Sequence, residues 1–291
     1  VLPLPPTPPM DTIAVLLRAS ALPLLEARVL LGAALGWRRT ELITRDTEAL
    51  EPAAVMRFHA LEARRLAGEP VAQLVGQREF FGLEFEVTPA VLIPRPETEL
   101  LVETALGALS NVPRPRILDL GTGTGAIAVA LAATRPDAQI WAVEYSPEAF
   151  AVAARNAARL LNRARPGGPV HLRQGDWYNA LDDAGWRFDM IVSNPPYIAA
   201  DDPHLVTGDL RFEPSNALTD HADGLSAIRQ IIAGAPAWLA PHGALWIEHG
   251  YDQAEAVRTL LTARGFTNVH SQRDLAGIER ISGGKHKTKH A

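Results

Sequence analysis

The sequence predicts an α/β protein: a doubly wound, mostly parallel sheet preceded by a small helical domain. Three observations lead there. From residue 116 onward, short apolar runs alternate with segments long enough for helices. The first of those runs ends in a glycine-rich loop that opens a helix. Before residue 70, apolar residues recur at three- and four-residue spacing, the pattern of packed helices.

Taken in order, the opening VLPLPPTPP is too proline-rich for helix or sheet, and residues 1–9 are expected to trail as a solvated, partly polyproline arm. DTIAVLLRAS, PLLEARVLLGAALG and EPAAVMRFHALEARRLAG then predict a helical domain over 10–70, with Asp11 and Glu51 near helix starts and Gly36 and Gly68 near helix ends. QREFFGLEFEVTP changes the period and reads as a hairpin, making 71–95 a linker that leads into LIPRPETELLVE. Over 96–283, RILDL, AQIWAVE, VHLRQGD, FDMIVSN, GALWIEH, FTNVHSQ and IERIS read as strands. TGAIAVALAAT, SPEAFAVAARNAARLL, GLSAIRQIIAGAPAWL and AEAVRTLLTARG read as the helices between them. All three lysines (Lys285, Lys287, Lys289) fall in GGKHKTKHA, whereas the rest of the chain uses only arginine, and 284–291 are expected to form a disordered tail.

Composition narrows the function classes. The 291 residues suit one main domain and a smaller one, and 47% hydrophobic with 21% charged residues is ordinary for a soluble globular protein. A formal charge of −5 argues against a surface built to wrap duplex nucleic acid. The absence of cysteine excludes disulfides, thiolate metal sites and cysteine nucleophiles. The nine histidines include no pair at metal-ligand spacing joined to carboxylates, so no metal is expected. No apolar run approaches the ~20 residues of a membrane span, and the first residues lack the basic-then-apolar order of a signal peptide. A cytoplasmic protein without a membrane partner is expected.

The chemistry concentrates at strand ends. In LDLGTGTGAIA, Gly121, Gly123 and Gly125, with Thr122 and Thr124 between them, permit a tight turn and close ligand approach. The spacing is G-x-G-x-G, since Ala126 stands where the third glycine of a dinucleotide fingerprint would fall. Taken alone, the loop could also be a plain turn. Glu144 ends the second strand, 23 residues past Gly121, and suits an acid that grips both hydroxyls of a ribose; the structural alternative is a solvated residue before Ser146 and Pro147. Asp176 and Trp177 end the third strand, one able to accept from an adenine amino group and the other to cover its ring, although a core tryptophan has the same signature. FDMIVSN then runs into Asn194-Pro195-Pro196-Tyr197. The prolines end the strand and stiffen the next few residues, Asn194 offers a side-chain carbonyl, and Tyr197 offers a flat, exposed ring. Together these features favour a nucleoside-bearing cofactor beside a platform for an NH2 group.

The order glycine loop, ribose acid, Asp-Trp and NPPY resembles a Rossmann-like, class I S-adenosyl-L-methionine-dependent methyltransferase acting on amino groups, a fold with a mostly parallel seven-stranded sheet. More narrowly, FFGLEFEVTPAVLIPRPETELLVE, ILDLGTGTGAIAVALA, IVSNPPYI, DPHLVTGDLRFEP and IEHG resemble the PrmC/HemK family over about residues 70–282. NPPY is shared with adenine methyltransferases, whereas its combination with LIPRPETE is far more specific. Glu144 stands where aspartate is common, and AGIERISGGKHK departs from the usual close.

The resemblance implies methyl transfer to the side-chain nitrogen (N5) of the glutamine in the GGQ motif of class I peptide chain release factors, with the helical domain recognising the factor's body. It implies that Gly121 to Gly125, Glu144, Asp176, Trp177 and Asn194 bind cofactor, and that Asn194, Pro195, Pro196 and Tyr197 bind substrate, with Asn194, Pro195 and Tyr197 catalytic. An amide nitrogen is a poor nucleophile and must be held in place: Asn194 Oδ1 would accept one N–H, the Pro195 carbonyl the other, and Tyr197 would cover the amide. Arg95 and Glu97 could contact ligand or form a linker salt bridge; Glu248 and His249 could serve as ligand groups or as structure.

Three other readings compete. An adenine-N6 nucleic acid methyltransferase would use the same platform on a flipped base. It would need a basic face, and residues 1–90 carry 9 arginines against 11 acids, net −2. An inert scaffold would show a broken loop or a lost asparagine, and a dehydrogenase would show the other glycine spacing. A monomer without direct nucleic-acid binding is expected.

Overall fold

Local chemistry starts and stops the helices of the first unit. In the computed structural model, which describes residues 11–182 and 185–287, α1 (Ile13–Ala19) begins where Thr12 Oγ1 accepts the Val15 N–H at 3.3 Å. Helix α2 (Leu24–Leu35) ends at Gly36, whose φ of 69° is the left-handed conformation of a helix stop. Helix α3 (Arg39–Thr44) has no counterpart among the helices expected from periodicity. Six residues are too few for a period, and its start is instead secured by the Glu41 carboxylate accepting the Arg38 N–H at 2.9 Å. Helix α4 (Pro52–Leu66) opens on a proline and α5 (Val71–Val75) closes at Gly76. Ile13, Leu16, Leu30, Leu31, Leu42 and Phe58 form the core of this unit.

The chain divides into two compact units between Gly76 and Gln77. The helical unit therefore runs past residue 70, because the short α5 carries a Val- and Leu-containing segment that periodicity cannot assign. The arm at residues 1–9 lies outside the described residues.

In the second unit, β1 (Gln77–Phe80) and β2 (Leu83–Glu86) pair antiparallel through Phe81 and Gly82, whose φ values of 51° and 75° give a turn matched to strand twist. The hairpin is not a free linker. Phe80 and Phe85 are buried in the same core as the main sheet.

After it come α6 (Glu99–Ala108), β3 (Arg116–Leu120), α7 (Ala126–Thr134), β4 (Gln139–Glu144), α8 (Pro147–Leu160), β5 (His171–Gln174) and β6 (Phe188–Ser193). The chain ends with α9 (Ser215–Leu218), α10 (Ser226–Gly234), β7 (Leu239–Glu248), α11 (Ala254–Ala263), β8 (Phe266–Arg273) and β9 (Glu279–His286). The sheet order is β5-β4-β3-β6-β7-β9-β8, parallel through β7 and antiparallel at β9 and β8.

Residue alternation along the strands fills both faces. Ile117, Ile140, Ala142, Met190, Val192 and Trp246 pack on one face with α6 and α7, whereas Leu118, Leu120, Trp141, Val143, Ile191 and Ile247 pack on the other with α10 and α11. Helix α7 is apolar on all sides because it is buried on all sides. From β3 the chain winds outward through β4 and β5, then returns to place β6 on the other flank of β3. The carboxyl ends of β3 and β6 thus flank the switch point, where open α/β sheets leave a crevice.

The expected tail from residue 284 is corrected in part. Strand β9 runs to His286, Gly283 pairs with Trp246, and Gly284 pairs with Leu245. A Cβ at Gly283 would lie 2.3 Å from the Trp246 ring. The paired glycines therefore mark close approach of a neighbouring strand, which in sequence is indistinguishable from a flexible linker. Residues 288–291, with Lys289, lie outside the described residues.

Candidate active site

The loop after β3 is held from below and from the side. The Gly121 and Thr122 N–H groups both donate to the Val143 carbonyl at 2.9 Å, and the Gly125 N–H donates to the Thr122 carbonyl at 2.8 Å. Gly121, Gly123 and Gly125 all have positive φ (72°, 56° and 81°), a path that side-chain-bearing residues rarely follow. At Gly121 the missing side chain also admits the Trp177 ring, which a Cβ there would meet at 3.2 Å.

Beneath the loop, Asp119 Oδ2 accepts the Thr122 hydroxyl at 2.6 Å and the Ala128 N–H at 3.2 Å. Burial pushes this carboxyl up to about 7, with the neighbouring Glu144 adding to the effect. The folded chain therefore keeps this proton over a pH range in which the unfolded chain has shed it. Its stability contribution falls as pH rises through that range, by ~1.4 kcal/mol for each tenfold displacement of the proton equilibrium. In thermal melts Asp119→Asn is expected to gain on wild type as pH rises from about 4 to about 7 and to hold that gain above it. A difference that did not vary with pH would mean that Asp119 titrates at its ordinary value.

Glu144, 9% exposed, ends β4 beside the loop. Its Oε2 accepts the Gly123 N–H at 2.8 Å and its Oε1 accepts the Ser146 N–H at 2.9 Å. Burial raises its pKa, and these backbone donors pull it back down. Each oxygen retains accepting capacity, so the carboxylate can take two adjacent hydroxyls without giving up the loop. Asp176 is exposed, and Trp177 has a positive φ of 44° that turns the chain at the end of β5.

The platform after β6 is built from several segments. The Ser193 hydroxyl donates to the Leu120 carbonyl at 2.7 Å, fixing β6 to β3 just before the turn. Asn194 Nδ2 donates to Thr98 Oγ1 at 3.1 Å, which turns Oδ1 of the same amide away from Thr98. Gln253 accepts the Gly250 N–H through Oε1 at 2.9 Å and donates through Nε2 to the Tyr197 carbonyl at 3.0 Å. Tyr197 departs from expectation. Its ring is half-buried against the second core cluster rather than exposed, and its hydroxyl donates to Glu248 Oε1 at 3.3 Å. Burial, then the adjacent carboxylate, holds that phenol well above its ordinary range.

A cleft of about 260 Å³ joins these parts. Gly121, Thr122, Gly123, Thr124, Glu144, Asp176, Trp177, Asn194 and Pro196 line it, while Gly125, Pro195 and Tyr197 do not. Thr98, Tyr145 and Asn216 also line it and are not among the sequence candidates. Thr98 lies inside the RPETE segment, and its signal was a small hydroxyl at a helix start, which ordinarily reads as a cap. Asp119 was legible only as an acid inside an otherwise apolar strand.

Two further sequence candidates, Arg95 and His249, resolve into structure. Arg95 lines the cleft but pairs with Glu213, whose other oxygen accepts the Ile93 N–H at 2.9 Å. His249 is fully buried: its Nδ1 donates to the Gly250 carbonyl at 2.9 Å, so Nε2 accepts the Ser282 hydroxyl at 2.7 Å. Burial lowers its pKa and keeps it neutral.

The cleft fits S-adenosylmethionine on three counts. The glycine loop leaves room along its backbone, Glu144 presents a buried carboxylate suited to a diol, and Trp177 supplies an aromatic wall against Gly121.

Comparison with known proteins agrees. Residues 11–76 match the PrmC N-terminal domain family, and residues 96–213 match the methyltransferase small domain family. The chain is 64% identical over 278 residues to a release factor glutamine methyltransferase of Burkholderia pseudomallei, covering 96% of this chain and 97% of that protein. It is 56% identical over 269 residues to the protein of the same name from Bordetella pertussis, covering 92% and 97%. A methyltransferase crystal structure from Pyrococcus furiosus shares the fold with a TM-score of 0.50 at 20% identity, over 78% of this chain and 98% of that one. Identity at this level across both units shows that the chain belongs to the release factor glutamine methyltransferase family.

Proposed function

We propose that this chain transfers a methyl group from S-adenosyl-L-methionine to the side-chain amide nitrogen of the glutamine in the GGQ motif of class I peptide chain release factors. The observation that supports this reading is the Asn194 carboxamide, held through Nδ2 by Thr98 at the cleft that Glu144 and the glycine loop also line. Bound there, the cofactor supplies an electrophilic methyl group. Glu144 would hold the ribose, Gly121 to Thr124 would form the floor, which Gly125 completes from outside the cleft, and Asp176 and Trp177 would take the base.

Asn194 Oδ1 accepts one N–H of the substrate amide and the Pro195 carbonyl accepts the other, which leaves the nitrogen lone pair facing the cleft. Both acceptors bind more strongly as positive charge develops on that nitrogen, so they stabilise the transition state more than the ground state. Pro196 and the Tyr197 backbone keep these acceptors in place through proline rigidity and the Gln253 bond. No side chain is needed to remove a proton first, because the nitrogen sheds it after transfer. The helical unit recognises the body of the factor, and the protein acts as a cytoplasmic monomer on protein and not on nucleic acid.

The test is incubation with methyl-labelled S-adenosylmethionine and either a purified unmodified release factor or unmethylated DNA. Label in the factor alone supports the reading. Label in DNA alone moves the activity to adenine bases, and label in neither, despite cofactor binding, overturns it.

A further inference from the structure

Gln253 is partly buried immediately before α11, and both ends of its carboxamide are engaged. Oε1 accepts the Gly250 N–H at 2.9 Å, and Nε2 donates to two carbonyls, that of Tyr197 at 3.0 Å and that of Gly224 at 3.3 Å. The second carbonyl belongs to a turn that Asp220 builds: its Oδ1 accepts the Ala222 and Gly224 N–H groups, each at 2.9 Å, and its Oδ2 accepts the Ser226 N–H at 2.6 Å. The turn lies directly against the platform. Gly224 has a φ of 77°, and a Cβ on it would collide with the Tyr197 carbonyl oxygen. Beyond Tyr197, the Ile198 N–H donates to the Leu218 carbonyl at 3.0 Å and the Ala200 N–H to the Ala222 carbonyl at 2.9 Å. Gln253, Gly224 and Asp220 do not line the cleft.

Resting on the function proposed above, we propose that Gln253 is a positioning residue that clamps the platform to the Asp220 turn and thereby sets the direction of the Pro195 carbonyl. The platform is pinned on both sides, before it by the Ser193 hydroxyl on the Leu120 carbonyl and after it by Gln253 on the Tyr197 carbonyl. Between the pins stand Asn194, Pro195 and Pro196, and the rings of both prolines fix φ. A segment that stiff turns as a unit, so freeing one end re-aims the acceptors within it. The polarity of the clamp is unambiguous. Gly250 N–H can only donate and the two carbonyls can only accept, so the Gln253 carboxamide has one orientation that satisfies all three. Gln253→Glu keeps an acceptor for Gly250 but sets its second oxygen against two carbonyl oxygens. Gln253→Met keeps the length of the side chain and has no hydrogen to give. Because the Pro195 carbonyl binds most strongly as charge develops on the substrate nitrogen, a misdirected platform costs rate more than substrate affinity.

The test pairs kinetics with a readout that needs no substrate. Tyr197 is the only tyrosine of the chain followed by isoleucine, so protein carrying carbonyl-labelled tyrosine and nitrogen-labelled isoleucine gives a single carbonyl-to-amide correlation in its NMR spectrum, that of the platform. In Gln253→Met and Gln253→Glu that signal is expected to shift, because the Tyr197 carbonyl loses its donor. With wild-type transfer to the release factor established, Gln253→Glu is expected to lower kcat by about 100-fold and Gln253→Met by about 10-fold, with KM for the factor and the cofactor Kd changed less than about threefold. Gln253→Asn, one methylene too short to reach both Gly250 and Tyr197, is expected to match Gln253→Met. Should the carboxylate of Gln253→Glu prevent folding, the apolar and the shortened variants carry the test. A signal that stays in place in Gln253→Met overturns the proposal whatever the substrate proves to be. A shifted signal with unchanged kcat, or a loss confined to KM, overturns it as well.

Discussion

Asn194→Ala is expected to lower kcat by about a thousandfold or more while leaving the S-adenosylmethionine dissociation constant within about threefold of wild type. The substitution removes Oδ1, an acceptor whose bond strengthens only as charge develops on the substrate nitrogen. It leaves intact the features that fix the strand end and the loop: the Ser193 hydroxyl on the Leu120 carbonyl, the Gln253 bond to the Tyr197 carbonyl, and the Glu144 bonds to Gly123 and Ser146. A stability loss is therefore expected to be small, limited to the bond with Thr98. Unchanged turnover at saturating substrate would remove Asn194 from the mechanism. A matching rise in cofactor Kd would make it a cofactor ligand instead.

Glu144→Ala is the complementary case, expected to weaken cofactor binding by at least about 100-fold, the equivalent of one to two charge-assisted hydrogen bonds of about 1.5–3 kcal/mol each. The same carboxylate holds the Gly123 and Ser146 N–H groups, so its loss also loosens the floor of the site. Glu144→Gln is expected to be nearly as damaging. Either orientation of the new amide turns its NH2 against one of those two backbone donors, at a position only 9% exposed. Titration calorimetry separates the effects: Kd rises in both variants, whereas kcat at saturating cofactor stays within a few-fold. Wild-type affinity in Glu144→Gln would show that the acid does not grip the ribose.

The sheet was legible in the sequence because its central strands bury both faces, which leaves runs such as RILDL and AQIWAVE mostly apolar, and α8 between strands keeps a 3.6-residue period. The glycine loop and NPPY were legible because backbone path and proline chemistry are local properties. Features set by tertiary contact were hidden. Tyr197 reads as an exposed ring until the course of β7 brings Glu248 to its hydroxyl. Thr98 reads as a helix cap until β6 delivers Asn194 to it, 96 positions later in the chain. Gly283 and Gly284 read as a loose end because the ring of Trp246, which requires the first of them, lies on another strand. The short helices α3 and α5 escape for a different reason, since five or six residues do not complete two turns.

The measurement that bears most directly on the central claim is the chemical position of the transferred methyl group. A release factor treated with enzyme and labelled S-adenosylmethionine would be digested and the modified peptide sequenced by mass spectrometry, beside the same factor with its GGQ glutamine replaced. A methyl group on the side-chain amide nitrogen of that glutamine, absent from the replaced factor and absent when Asn194→Ala is the catalyst, is the predicted result. Label on another residue, or label that persists in the replaced factor, would contradict a platform built from Asn194 and Pro195 to hold that one amide.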